Sequence, residues 1–219
     1  MKNTAMFFMV GVLVFFINVN ILSTPIDITF TENGFIRVED DYDDVFVYGD
    51  TTTVDMDGGK VCFLHNYDQS TTNISGGLIA YAQTYDQSTI NISCGLVHEP
   101  RAWYDGTINV TGGECWNVEV GGGEFNISGG QITGWIYAPT SGSVVNIYGY
   151  GFEYDPHYSP NLKGFWQDGT PFGIDFKETT PGGGNAHTYD KVVLHIIPEP
   201  STLLLLGLGA VMLRRKRCR

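Results

Sequence analysis

Positive charge is scarce in most of this chain. Between Asp27 and Glu199 the sequence holds all 24 of its acidic residues but only six of its 12 lysines and arginines, so this stretch carries a net charge of 6 − 24 = −18. A surface of that sign repels nucleic acid and anionic lipid. The composition therefore excludes a nucleic-acid-binding role and favours cations, or neutral and cationic glycans, as partners.

Cysteine and helical periodicity are also sparse. Three of the four cysteines, Cys62, Cys94 and Cys115, lie in the acidic stretch, an odd number whose pairing the sequence does not fix. Their spacing matches no zinc site, and no 3.6-residue apolar pattern occurs away from the two ends of the chain. With 28 glycines and 13% aromatic residues, the composition favours turn-rich β structure in one domain.

The N-terminus has the pattern of a secretory signal peptide. Lys2 is the only charged residue before Asp27, and an apolar run follows it at residues 6–17. One cation and an apolar core of about 12 residues are the features that secretion signals share. We predict a signal peptide over residues 1–23, with Ser23 as the last residue removed, and hence an exported protein.

The C-terminus combines three elements in order. The tripeptide Pro198-Glu199-Pro200 is followed by an apolar run at residues 203–213 and by a cationic cluster at residues 214–217. The apolar run has 11 residues, or about 17 Å of helix, whereas a comfortable membrane span needs ~20 residues. We therefore expect a short transmembrane helix that anchors the chain only temporarily. The cations favour a cytoplasmic end, and the prolines leave an extended, accessible segment before the helix.

This order of elements resembles the PEP-CTERM sorting signal. The residues that carry the resemblance are Pro198, Glu199, Pro200, Arg214, Arg215, Lys216 and Arg217. The resemblance implies processing by an exosortase, a membrane transpeptidase-like enzyme, in a cell that makes exopolysaccharide. It further implies transient anchoring in the inner membrane, followed by delivery to the cell surface or extracellular matrix.

A short motif recurs through the body of the chain. It consists of an apolar, a polar and a second apolar residue before a Gly-rich turn, as in residues 90–95 (INISCG). Its second residue falls at positions 37, 55, 73, 91, 109, 126 and 146, a spacing of 17 to 20 residues. The alternation within each copy predicts a strand with one apolar face, and glycine permits the turn that follows.

These units predict an all-β fold, a short parallel β-helix (β-solenoid) of about seven coils of ~18 residues. One unit is too small to bury an apolar face alone, whereas coils stacked in register share a core. We expect the solenoid over residues 24–150, a small C-terminal β cap over residues 151–197 with a turn at Asp168-Gly169, and the sorting signal over residues 198–219. A β-sandwich also has short alternating strands but does not explain near-identical units.

A row of asparagines on the outward face is the first candidate for binding. Asn73, Asn91, Asn109, Asn126 and Asn146 occupy the same position in successive units. Stacked amides can bond one another as a structural ladder, and the first four could instead present a flat face to sugar hydroxyls. The structural interpretation is preferred because repeated motifs often reflect architecture.

The polar corners hold the second candidate, a column of carboxylates. Asp68, Asp86 and Asp105 each follow a tyrosine. Carboxylates stacked about 5 Å apart repel one another unless a cation lies between them, and oxygen-rich columns suit Ca²⁺. In the competing interpretation the carboxylates are solvated and no cofactor is needed.

Catalysis is a further alternative, because long β-helices include polysaccharide lyases and hydrolases. The nearest approach to an acid–base set is Glu99 and Arg101 beside His98, with Tyr104 nearby. Short coils without long side loops build no deep cleft, however, so we expect no catalytic residues. We predict a non-catalytic surface or extracellular-matrix protein associated with exopolysaccharide, with a small pectate-lyase-like carbohydrate-active enzyme or a glycan-binding module as alternatives.

Overall fold

The computed structural model describes residues 26–155, 159–177 and 188–199. Within them 61% of the residues lie in strands and 3% in a helix, and the strands stack as parallel coils of about seven turns. The predicted β-solenoid is therefore confirmed. The predicted signal peptide at residues 1–23 and all but the first two residues of the predicted sorting signal lie outside the described residues.

Two parallel sheets run the length of the solenoid, because each coil contributes strands to both. Sheet A contains β1 (Ile26–Phe30), β3 (Asp41–Val47), β5 (Lys60–Asn66), β7 (Leu78–Thr84), β9 (Leu96–Trp103), β11 (Glu114–Cys115), β12 (Val118–Gly121), β14 (Gln131–Ile132) and β15 (Trp135–Tyr137). Sheet B contains β2 (Gly34–Ile36), β4 (Thr53–Met56), β6 (Thr71–Ile74), β8 (Thr89–Ile92), β10 (Thr107–Val110), β13 (Glu124–Ile127), β16 (Val144–Asp155) and β19 (Val192–Ile196). The cap adds β17 (Ser159–Phe165), β18 (Pro171–Phe176) and a 3-10 helix (Thr188–Lys191).

Alternating burial separates inward from outward side chains in each coil. In β8, Ile90 and Ile92 are buried whereas Asn91 between them is half-buried. Equivalent inward residues lie in register from coil to coil, so Ile92 is paired with Ile74 on one side and Val110 on the other. Stacking at the ~4.8 Å spacing of paired strands joins these columns into one continuous apolar core.

One inward position of sheet B is polar. Thr72 lies in register with Val54 and Ile90 and is fully buried. Its hydroxyl donates to Oδ1 of Asn66, which is buried on sheet A, at 2.9 Å. Because an unpaired buried hydroxyl would destabilise the fold, this bond satisfies both groups and ties the two sheets together across the core.

The first coil departs from the predicted register. The motif assigns Arg37 to the row of second residues, but in the structure Phe35 is the residue that pairs with Asp55. Gly34 then falls in the inward column, where a Cβ would lie 2.2 Å from the ring of Phe30. The phenyl ring of Phe30, from the neighbouring strand, fills the space that an inward side chain of the motif fills in the other coils. A search for the motif does not detect this replacement.

The Gly-rich turns stack as closely as the strands do. Gly77, Gly95, Gly113 and Gly130 have φ between 80° and 91°, a conformation that favours glycine. A Cβ on Gly95 would lie 2.9 Å from the carbonyl carbon of Gly76 and 2.9 Å from the carbonyl oxygen of Gly77. These turns therefore need glycine both for their backbone conformation and for the approach of the next coil.

The C-terminal cap is a hairpin, as predicted, but it is continuous with the solenoid. Strands β17 and β18 pair antiparallel around the turn at Asp168-Gly169. Strand β16 runs through the expected boundary at residue 150, pairing first with β13 in sheet B and then with β17. The last strand, β19, joins sheet B in parallel beside β16. The indole N–H of Trp166 donates to the carbonyl of Gly130 at 2.9 Å and holds the hairpin against the last glycine turn.

The substitution Ile92→Asp tests the assignment of inward and outward positions. Ile92 is 1% exposed among apolar neighbours, so an aspartate there must lose its hydration at a cost of several kcal/mol, and we expect the body to unfold. Cys94→Asp, two residues further on at an exposed side chain, is the matched control and should lower the free energy of unfolding by less than about 1 kcal/mol. Equal losses from the two variants in urea denaturation, followed by tryptophan fluorescence, would contradict the assignment.

Candidate functional site

The outward amides of sheet B form a continuous hydrogen-bonded ladder. Each asparagine Nδ2 donates to the side-chain oxygen of the equivalent residue in the preceding coil, at 2.8–2.9 Å. The members of this asparagine ladder are Asn73, Asn91, Asn109, Asn126 and Asn146. Their geometry agrees with the structural interpretation of the row, while binding of sugar hydroxyls by the first four stays a prediction.

The two ends of the asparagine ladder differ in chemistry. At one end Nδ2 of Asn73 donates to Oδ1 of Asp55 at 2.8 Å, and a carboxylate can only accept. At the other end Nε2 of His195 lies 2.9 Å from Oδ1 of Asn146, and a carbonyl oxygen needs a donor, so Nε2 carries the proton. Every bond therefore points the same way, from His195 towards Asp55.

Aromatic rings stack in columns on the outward face of sheet A. These columns are Tyr48–Tyr67–Tyr85, Phe46–His65 and Phe63–Tyr81, with ring centroids 4.7 to 5.1 Å apart in adjacent coils. Burial lowers the pKa of His65, an effect that the nearby Asp44 carboxylate opposes. Rings stacked face to face cover one another's faces and show their edges to solvent, so these columns stabilise the stack more than they offer surface to a ligand.

The candidate acid–base residues come together only in part. Nη2 of Arg101 lies 2.6 Å from Oε2 of Glu99, and its Nε lies 3.6 Å from Oε2 of Glu119. The imidazole of His98 stacks instead on Trp116, with ring centroids 4.7 Å apart. The Glu99 carboxylate is thus engaged in an ion pair, and the imidazole is directed to a different neighbour.

The predicted carboxylate column is misaligned in its third member. Asp68 and Asp86 occupy equivalent corners with φ of 59° and 55°, but Tyr104, with φ of 53°, takes that place in the next coil. The Tyr-Asp pair recurs here after 19 residues whereas the strands pair at an interval of 18, which moves Asp105 one position along. Asp68 also accepts a bond from the backbone N–H of Gly49 at 2.9 Å. No group of three or more potential metal ligands occurs within the described residues.

The cysteines of the solenoid differ in exposure. Cys94 is exposed, Cys62 is half-buried and Cys115 is buried, and among the described residues all three are free thiols. Burial raises the pKa of Cys115 to about 12, so this thiol stays protonated and unreactive at neutral pH. Burial, followed by the charge of Asp43, also raises the pKa of Cys62.

Two grooves flank the cap hairpin. One, of about 420 Å³, is lined by residues that include Asn109, Asn126, Tyr148, Gln167 and Ile197. The other, of about 480 Å³, lies between the glycine turns and the hairpin near Trp166. The repeat does not indicate either groove, because both form where the hairpin, which has no copy in the repeat, approaches the coils.

The sorting segment begins where the described part of the chain ends. Pro198 and Glu199 follow β19 as exposed residues outside any strand or helix. Residues 197–217 match the PEP-CTERM protein-sorting motif. This match, about a tenth of the chain, implies an exported protein that is transiently anchored in a membrane and processed by an exosortase. No curated protein and no solved structure matches the chain.

The predicted transmembrane helix at residues 203–213 lies outside the described residues, as do Pro200 and the cationic cluster. In the part of the chain that the structure describes, no helix has the length and apolar character needed to cross a membrane. The evidence for sorting therefore comes from the PEP-CTERM match, and the structure describes the solenoid body to which the motif is attached.

The direction of the asparagine ladder can be tested with two opposite substitutions. Asn91→Asp places a carboxylate that cannot donate against Oδ1 of Asn73, so we expect it to lower the free energy of unfolding by about 1–3 kcal/mol. Asp55→Asn keeps an acceptor at the end of the ladder and should cost less than about 1 kcal/mol. Urea denaturation at neutral pH measures both, and equal costs would mean that the ladder has no fixed direction.

Calcium binding stays a prediction and now rests on Asp68 and Asp86. A cation between these carboxylates would raise the melting temperature of the full-length protein in calcium over that in EDTA, modestly because no Asp-x-Asp-x-Asp-Gly loop completes a tight site. Asp86→Asn should abolish the increase, and Asp105→Asn, one position out of the column, should retain it. An increase of the same size in Asp86→Asn would place the cation elsewhere, and no increase in the wild type would mean that the carboxylates are solvated.

Proposed function

We propose that the exported body is a non-catalytic structural protein of the cell surface or extracellular matrix, associated with the polysaccharide that the cell secretes. One observation carries the proposal: a PEP-CTERM sorting motif directly follows a β-solenoid whose outward asparagines on sheet B bond to one another. The sorting motif accounts for export, and the solenoid is the part that works after export.

The outward faces support a structural role because their side chains interact with equivalent side chains in the neighbouring coils. In the asparagine ladder on sheet B, each amide uses one N–H donor and one oxygen acceptor to bond the amides next to it. On sheet A the rings cover one another, and Arg101 bridges Glu99 and Glu119 from adjacent coils. Interactions of this kind stiffen a rod and leave few groups free to assist a reaction.

Charge also supports a place within secreted polysaccharide. The stretch from Asp27 to Glu199 carries a net charge of 6 − 24 = −18, which keeps protein molecules apart in solution. It also disfavours anionic partners while leaving neutral polysaccharide unaffected. A rigid, strongly hydrated rod of this charge fits dispersal through a glycan matrix better than attachment to an acidic surface.

A carbohydrate-active enzyme is the second candidate, and one feature favours it. Glu99 lines a hollow of about 200 Å³ together with Tyr81, His98 and Trp116, a mixture of carboxylate and aromatic groups that suits a sugar. Release of reducing ends from polysaccharide by the wild type, abolished in Glu99→Gln, would establish the enzyme and exclude the structural proposal. Unchanged polysaccharide after prolonged incubation with the wild type supports the structural one.

Delivery by the sorting segment can be tested by deletion. We expect removal of residues 203–219 to leave the exported body soluble outside the inner membrane, because the apolar run and its cations are gone. Replacing Pro198 and Pro200 by alanine keeps the apolar run but removes the processing motif, so this variant should accumulate full-length in the membrane fraction. Cell fractionation followed by mass spectrometry of the C-terminus decides between these results.

Two further outcomes would contradict the proposal. An intact residue 203–219 segment on protein recovered from the cell surface would mean that the motif is not processed. Equal recovery of the protein from the matrix fraction of normal cells and of cells that make no exopolysaccharide would mean that polysaccharide does not retain it.

A further inference from the structure

The outward column beside the asparagine ladder changes character at its C-terminal end. Thr111 and Ser128 directly follow the paired strands β10 and β13, and both side chains are short. In the next coil the same position is Tyr148, one residue beyond Ile147 in β16, and in the coil after that it is His195. Along this column the side chains therefore change from short hydroxyl groups to two stacked rings.

The ring of Tyr148 is covered on one side only. The imidazole of His195 stacks on it with ring centroids 4.3 Å apart and an angle of 12° between the planes. On the opposite side the residue in register is Ser128, whose side chain is too short to cover a phenol ring. Tyr148 thus turns one face towards open space, and the same imidazole that holds the ring ends the asparagine ladder.

That open face borders the 420 Å³ groove beside the cap hairpin, here named the Tyr148 groove. Its volume lies within the ~300–1,000 Å³ of small-ligand sites. None of the residues that line it is charged, although the surrounding stretch of chain carries a net charge of 6 − 24 = −18. An uncharged, partly apolar groove on so acidic a body favours a neutral ligand.

Amide groups supply hydrogen bonds along the floor and rim of the groove. In the asparagine ladder Asn109 and Asn126 each donate one N–H and accept one bond, and a primary amide has a second N–H and a second lone pair. Each can therefore give and receive one more bond from a hydroxyl. Gln167 adds an exposed amide from the hairpin, which the adjacent Trp166 fixes to the Gly130 carbonyl.

We propose that the Tyr148 groove binds a neutral sugar residue of a polysaccharide. The C–H groups on one face of the sugar ring carry partial positive charge and pack on the negative face of the Tyr148 ring, while its hydroxyls exchange hydrogen bonds with Asn109, Asn126 and Gln167. This site rests on the proposed association with polysaccharide, and it explains how a rod with otherwise self-satisfied faces is held at a defined place.

Affinity electrophoresis of the full-length protein in detergent tests the site, with dextran, galactomannan and hydroxyethyl cellulose as neutral probes and alginate as the acidic one. We expect the wild type to be retarded by at least one neutral polysaccharide and not by alginate. Tyr148→Ala should weaken that binding by about tenfold, whereas Tyr148→Phe, which keeps the ring, should stay within about twofold. Gln167→Ala, at an exposed position clear of the core, should weaken it by about threefold and serves if Tyr148→Ala does not fold.

Phe35→Ala is the matched control, because this phenyl ring is 60% exposed in the first coil of sheet B, away from the groove, and should leave binding unchanged. Wild-type affinity in both Tyr148→Ala and Gln167→Ala would overturn the site, as would a loss in Phe35→Ala alone. Failure of the wild type to bind any neutral probe, or retardation by alginate only, would also overturn it. Recovery of the protein from matrix fractions decides the proposed function separately, so the site can fail while that function stands.

Discussion

The structure depends on one constraint, the in-register stacking of each coil on the next at the ~4.8 Å spacing of paired strands. Every side chain then meets its own equivalent in the neighbouring coil, so each position must hold a residue compatible with a copy of itself. Apolar residues satisfy this inside, as in the Ile74–Ile92–Val110 column. Outside, asparagine satisfies it because an amide is both donor and acceptor, and at the turns glycine satisfies it by having no side chain.

This constraint explains which parts of the fold the sequence predicts. Alternation around Ile90 and Ile92, the asparagine row and the stacked glycines all repeat at the strand spacing, so each copy corroborates the others. The predictions that are wrong concern positions next to turns and corners, where strand pairing does not fix the number of residues. Phe35 takes the place expected of Arg37 because the first coil spans 55 − 35 = 20 residues whereas the next spans 73 − 55 = 18. Tyr104 takes the place expected of Asp105 because a corner tolerates a shift by one.

The candidate sites divide in the same way. The sorting segment is a linear motif, so its residues can be identified one after another without knowledge of the fold. Tyr148 has no such local mark: its open ring face depends on the short Ser128 in the preceding coil and on His195, which arrives 47 residues later in β19. The groove further depends on the hairpin, and contacts between segments this distant have no pattern within a single repeat.

The one-way ladder on sheet B gives a fold built of strands a feature usually associated with helices. Sheets have small net dipoles because strand dipoles largely cancel, but the amide dipoles of the ladder are parallel and add. The positive end falls at Asp55 and the negative end at the His195 ring, as an acid and a base lie at the ends of an α-helix. The face therefore has a polarity along its length, and two such faces laid side by side would favour opposite orientations.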